Sequence, residues 1–202
     1  MFKEKWEVKG ERPEEIYKDP VLFYTKEEAE RYNNSSGMRN VQQKIANRII
    51  ALLELELGTE KVLLDVGCGT GNTLEIFNEF GFDCTGLDVS KEMLKFAKEK
   101  GLKVKQGSIT ELNKAFPTRK FDLVVSISAM QWLQTKEDYK KAGESIKSVL
   151  KKGGKSVIQF YPKSSEELER ISKIFANIFD KVEIIIDNPD NPRKRLVFLV
   201  CC

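Results

Sequence analysis

The chain has no histidine among its 202 residues. That absence removes Ser-His-Asp triads, Cys-His pairs and histidine metal sites together. Cysteine is sparse: the four are Cys68, Cys84, Cys201 and Cys202. None forms a CxxC pair, so no metal site is expected. Adjacent Cys201-Cys202 suits a strand end in a reducing compartment better than a disulfide framework. No apolar run approaches the ~18 residues a membrane span needs. The opening stretch MFKEKWEVKGERPEE is charged and lacks the apolar centre of a signal peptide. Charge of one sign is also missing: 34 basic and 31 acidic residues leave a net +3. A polybasic tail is excluded, although a local basic patch stays open. The expectation is a soluble intracellular protein without a membrane partner. Internal repeats and low-complexity segments are absent too.

What is present is ordinary globular composition, 41% hydrophobic and 32% charged. The length suits one domain over residues 1–202, with an N-terminal arm and helices over 1–57 and a Rossmann-like core over 58–202. Residues 1–25, with Pro13 and Pro20, read as an irregular arm. Thr25 and Glu28 have the spacing of a capping box. Helical spacing then runs to Leu57, broken at 33–37, with Met38, Val41, Ile45, Ile49, Leu52 and Leu53 recurring. Gly58 ends that pattern.

Strands and helices alternate from there. The pattern predicts strands at Val62–Val66, Asp83–Val89, Leu102–Gln106, Phe121–Ser128 and Ser156–Tyr161. It predicts helices at Thr73–Phe80, after Ser90 through Lys100, at Asp138–Leu150 with a stop at Gly153-Gly154, and at Ser165–Phe179. Val182–Asp187 and Leu196–Cys201 are strands with no room for a crossover helix, so they pair antiparallel. The fold class is α/β: a Rossmann-like, seven-stranded, mostly parallel sheet ending in an antiparallel hairpin. Ligand is expected at the carboxyl ends of strands one and four, where strand order reverses.

Four stretches carry chemistry. The first is Asp65-Val66-Gly67-Cys68-Gly69-Thr70-Gly71. Its glycines permit a sharp turn and close ligand approach beside a helix N-terminus. A nicotinamide loop would carry a further glycine at position 72, which is Asn72. The expected ligand is therefore S-adenosyl-L-methionine, with Asp65, Gly67, Cys68, Gly69 and Gly71 at its site. A packing turn without ligand is the bland alternative. The second is Asp88, at the end of strand two, where a carboxylate accepts from both ribose hydroxyls; Val89 and Met93 after it are assigned to the same site. A helix cap is the competing role, which Ser90 already fills. The third is Gly107-Ser108-Ile109, where Ser108 and Ile109 hold the adenine or, alternatively, form an ordinary loop. The fourth is Ser126-Ile127-Ser128-Ala129-Met130-Gln131-Trp132-Leu133. Ser126 joins the donor site, and Ser128, Gln131 and Trp132 shape an acceptor pocket. Trp132 could equally be core.

Absences narrow the acceptor. Methylation at carbon five of cytosine needs a cysteine after strands four or five, and none is there. Amino-group methylation of nucleic acid often uses Asn/Asp-Pro-Pro-aromatic after strand four, where this chain has Ser126-Ile127-Ser128-Ala129. Oxygen acceptors often need a metal or a histidine base. A purine N7 needs neither, because its lone pair is free at neutral pH and positioning suffices. A small-molecule methyltransferase, a methyltransferase-like pre-ribosome assembly factor and a nicotinamide-dependent oxidoreductase remain as alternatives.

The chain resembles the small-subunit (18S) ribosomal RNA guanine-N7-methyltransferases of eukaryotes and their archaeal relatives. Arg12-Pro13-Glu14-Glu15-Ile16-Tyr17, Tyr24 to Tyr32 with Val41-Gln42, Ser126 to Leu133 and Gln159-Phe160-Tyr161-Pro162-Lys163 carry the likeness. The Gly loop and Asp88 are common to class I methyltransferases; the last two stretches discriminate. The resemblance implies methyl transfer to guanine N7 in small-subunit rRNA during subunit maturation, with the pre-ribosome as partner. It also implies a heterodimer with a small zinc-binding activator protein, for which the edge strand Leu102–Gln106 is the candidate surface. It implies the nucleus, nucleolus and cytoplasm for a eukaryotic member and the cytoplasm for an archaeal one. Departures are Gly37 where the family usually has Arg, with Arg39 the nearest substitute, an apparent insertion over Lys18–Phe23, and no basic tail after Cys201-Cys202.

Overall fold

The computed structural model describes residues 5–55 and 61–202, so the expected stop at Gly58 lies outside the described residues. The arm is more regular than its prolines suggest. Pro13 opens helix α1 (Pro13–Ile16) and Pro20 opens α2 (Pro20–Phe23). Proline tolerates the first helical turn because the N–H it lacks has no partner there anyway. The arm is pinned to the body by a bridge between Glu7 and Ser164 and by an ion pair between Glu15 and Lys163.

Thr25 caps α3 (Lys26–Asn34) by accepting from the Glu28 N–H. The reciprocal half of the expected box is absent. Glu28 turns to Arg31, and the Thr25 N–H donates to the Phe23 carbonyl instead. The predicted break over 33–37 is a single residue, Ser35, which caps α4 (Ser36–Leu52). Ile45, Ala46, Ile49, Ile50 and Leu53 are buried, whereas Val41 is exposed and Gln42 takes the inward position beside it.

The sheet has seven strands in the order β3-β2-β1-β4-β5-β7-β6. These are β1 (Val62–Val66), β2 (Asp83–Asp88), β3 (Val104–Gln106), β4 (Phe121–Ile127), β5 (Leu150–Phe160), β6 (Val182–Asp187) and β7 (Leu196–Cys201). The first five pair in parallel; β7 lies antiparallel between β5 and β6. Helices α5 (Asn72–Glu79), α6 (Lys91–Glu99), α7 (Leu112–Ala115), α8 (Lys136–Val149) and α9 (Ser165–Ala176) connect them. Order reverses between β1 and β4, so the cleft at their carboxyl ends is the position that suits a ligand.

Two apolar layers sandwich the sheet. Leu63, Leu123, Val125 and Val157 pack with Ile45, Ile49 and Phe77 on one face. Leu64, Val124 and Ile158 pack with Ile146, Leu168 and Phe175 on the other. Gly153-Gly154 does not stop α8, which ends at Val149 and passes directly into β5. Gly153 has φ +77°, and a Cβ on Gly154 would lie 3.0 Å from the Lys151 carbonyl oxygen and 3.1 Å from those of Phe121 and Asp122. The pairing register shifts at the same point, so the glycines form a bulge inside the strand. No helix among the described residues is long and apolar enough to cross a membrane.

Candidate methyl-donor site

β1 ends in a loop folded back over β2: the N–H groups of Gly67 and Cys68 both donate to the Leu87 carbonyl, at 2.7 and 3.1 Å. Gly67, Gly69 and Gly71 all have positive φ. Only Gly67 and Gly69 face the cavity; a Cβ on Gly67 would stand 2.3 Å from that of Ala129, which keeps the loops after β1 and β4 in contact. The cavity, about 320 Å³, lies at the carboxyl ends of β1, β2 and β4. That volume suits a small-molecule ligand, since such sites span ~300–1,000 Å³.

Asp88 ends β2 at the cavity wall. Its two carboxylate oxygens accept from the Gly69 and Ser90 N–H groups, each at 2.8 Å. Ser90 itself caps α6, as expected. Each Asp88 oxygen retains a lone-pair direction for a further donor. Burial raises the Asp88 pKa, opposed by those backbone donors. Val89, Met93, Ser108, Ile109, Ser128 and Trp132 also line the cavity. Ser108 starts a short 3-10 turn over Ile109–Glu111. Ser128 has φ +56°, a conformation uncommon for a residue with a Cβ. Its hydroxyl donates to Gln159 at 2.9 Å.

Five expected site residues do not line the cavity. Asp65 is buried beneath the loop, where the Thr73 hydroxyl donates to its Oδ2 and its Oδ1 has no partner. Burial raises its pKa to about 7. Cys68 packs against Gly86, and its thiol is pushed far up by burial. Gly71 opens α5 against Leu102 and Ala97, so its missing side chain serves helix packing. Ser126 shares the strand face of Val124 and is fully buried, because side chains alternate along β4. Gln131 donates to the Ser128 carbonyl and lines a neighbouring polar cleft with Arg12, Glu15 and Lys163.

Reasoning from sequence missed residues that the N-terminal arm and α3 bring to the cavity. Asp19, Pro20, Val21, Tyr24 and Tyr32 all line the cavity. Three of them lie in the Lys18–Phe23 stretch that looks like an insertion, and Tyr24 directly follows it. Phe23 and Tyr24 pack on Trp132 at 5.6 and 5.8 Å between ring centroids. Trp132 is therefore both cavity wall and the seat of the arm. The available signal was the density of aromatics in 17–32, which an exposed arm has no reason to carry.

The methyltransferase domain family matches residues 64–158. A solved structure described as a "putative S-adenosyl-L-methionine-dependent methyltransferase" from Methanococcus maripaludis superposes with a TM-score of 0.69 at 19% identity, covering 87% of this chain and 92% of that one. A TehB-like methyltransferase from Corynebacterium glutamicum gives 0.64 at 18% identity, over 88% and 98%. The fold is that of the Rossmann-like S-adenosyl-L-methionine-dependent methyltransferases, and the matched domain is a methyltransferase domain. A probable 18S rRNA (guanine-N(7))-methyltransferase of Dictyostelium discoideum is 32% identical, over 94% of this chain and 69% of that protein. The 18S rRNA (guanine-N(7))-methyltransferase of Bos taurus is also 32% identical, over 95% and 71%. The chain belongs to the 18S rRNA (guanine-N(7))-methyltransferase family.

Proposed function

We propose that this chain transfers the methyl group of S-adenosyl-L-methionine to N7 of a guanine in small-subunit rRNA, in the course of subunit maturation. The observation that carries the reading is the joining of the Gly67–Gly69 loop, Asp88 and the Ser128–Trp132 loop around one cavity. The donor supplies an electrophilic methyl on a sulfonium. In this reading Asp88 receives the ribose hydroxyls, and Val89, Met93, Ser108 and Ile109 flank the adenine. Ionised Asp65 lends negative charge beneath the loop to a donor that is cationic at its sulfonium and ammonium. Ser128 and Trp132 orient the base, and Gln131 holds the Ser128 backbone.

No residue is asked to remove a proton before transfer. The guanine N7 lone pair attacks in line, so alignment and exclusion of water do the work. An rRNA substrate sets the enzyme inside the cell and makes the pre-ribosome its partner. The whole chain acts as one methyltransferase domain. A small zinc-binding activator pairs with it as a heterodimer by adding a strand at β3, which is an edge of the sheet.

An Asp88→Ala variant should bind S-adenosylhomocysteine at least about tenfold more weakly, because charge-assisted hydrogen bonds are lost. Calorimetry measures this; unchanged affinity would overturn the donor site. Purification from the source organism should bring a small zinc-ribbon protein with the chain. A monomeric chain, fully active on its own, would remove the activator from the account.

A further inference from the structure

Asn72 stands where a dinucleotide loop would carry another glycine, and its side chain is buried in a directed polar chain. Lys100 Nζ donates to Asn72 Oδ1 at 2.6 Å and to Glu75 Oε2 at 2.8 Å. Asn72 Nδ2 donates to Gln42 Oε1 at 2.9 Å. Gln42 Nε2 donates to the Tyr32 hydroxyl oxygen at 2.8 Å. An ammonium only donates, so Lys100 fixes which end of Asn72 faces it. Asn72 then fixes Gln42, and Gln42 leaves the Tyr32 oxygen as acceptor. The one proton of Tyr32 is thereby directed away from Gln42.

Tyr32 lines the donor cavity. Burial, with the charges of Asp88 and Asp65 among its surroundings, holds its phenol protonated. Among the described residues, those lining the cavity include the carboxylates Asp19 and Asp88 but no lysine or arginine. An anion entering must therefore be met by neutral donors. Arg39 is exposed and is not among the lining residues. The chain of hydrogen bonds runs through Asn72, the first residue of α5 and the one that follows the Gly loop. Asp88, Ser108 and Ile109, assigned to the nucleoside, lie on β2 and after β3. Tyr32 therefore belongs to the amino-acid end.

We propose that Tyr32 donates its hydroxyl proton to the carboxylate of S-adenosyl-L-methionine, with Gln42, Asn72 and Lys100 as positioning residues that aim it. The inference rests on the donor reading above. Two probes isolate it: S-adenosylhomocysteine, and 5′-methylthioadenosine, which has the nucleoside and thioether but no amino-acid end. Tyr32→Phe keeps the ring and its packing. It should bind S-adenosylhomocysteine about tenfold or more weakly and 5′-methylthioadenosine as wild type does. Lys100→Met should show a smaller loss confined to the same probe. Equal losses for both probes in Tyr32→Phe would mean a packing role and overturn the proposal, as would no loss for either. An unaltered S-adenosylhomocysteine affinity in Lys100→Met would overturn the positioning role. Wild-type protein that binds neither probe would overturn the donor reading itself, and this inference with it.

Discussion

Asp65 and Asp88 are both carboxylates at the ends of neighbouring strands, yet their surroundings give them different work. Asp88 has a donor on each oxygen and faces the cavity. Asp65 is sealed under the loop with one oxygen unpartnered, and its pKa rises from 3.8 to about 7. Folded protein therefore holds a proton on Asp65 at pH values where the unfolded chain has released it. Stability contributed by this group is full below about pH 4 and is lost as pH climbs to about 7, a difference on the order of 4 kcal/mol. Asp65→Asn keeps an acceptor for Thr73 and removes the titration. Its melting temperature should exceed that of wild type at pH 8 but not at pH 4; a wild-type pH slope in the variant would contradict the assignment. The same ionisation should tighten wild-type donor binding as pH rises through about 7, because the donor is cationic. The rate of transfer at saturating donor should stay flat there, since no base is used; a kcat that titrates near neutrality would count against base-free transfer.

Residue identity alone exposed the Gly loop and Asp88, because turn geometry and strand spacing constrain which residue types work there. It could not separate Ser128 from Ser126 or Gln131. Those differ only in which way the strand alternation and a left-handed turn at Ser128 point them, and that is decided by β5 through Gln159.

Among the elements, the arm departs furthest from its sequence pattern. Two prolines and a run that looks inserted suggest irregular chain, but local composition says nothing about what the segment lies against. Pro13 and Pro20 start short helices, and the second carries Phe23 to Trp132 and sets Tyr24 beside it. Phe23 also meets Tyr17 at 5.2 Å. Such aromatic pairs contribute about 0.5–1.5 kcal/mol each beyond their buried area. Phe23→Ala should therefore loosen the arm while leaving the sheet intact. Limited proteolysis should cut faster within residues 17–24, and S-adenosylhomocysteine should bind several-fold more weakly. Unchanged cleavage and affinity together would show that the arm is no part of the site. Gly153-Gly154 illustrates the same limit: two glycines after a helix suggest its end, but their reason is the crowding of carbonyls at a bulge between β4 and β5.

For the whole molecule, a mostly parallel sheet whose order reverses between β1 and β4 was legible because alternating apolar strands and amphipathic helices admit few topologies. The antiparallel pairing of β6 with β7 followed from a connection too short for a helix; that β7 rather than β6 lies beside β5 does not follow from that connection. That topology gathers loops from β1, β2 and β4 into one cavity. It leaves β3 at an edge, where an added strand would find unpaired backbone groups. Family membership adds the substrate that topology cannot supply, since one fold serves many acceptors.

The acceptor atom can be identified directly. The direct measurement incubates the chain, with any co-purifying partner, with isotopically methyl-labelled S-adenosyl-L-methionine and small-subunit rRNA. The RNA is then digested to nucleosides, which are resolved by mass spectrometry. Label should appear in N7-methylguanosine from small-subunit rRNA, and none should appear when Asp88→Ala replaces wild type. Label in another nucleoside, or in small metabolites with the RNA left unlabelled, would contradict guanine N7 as the acceptor.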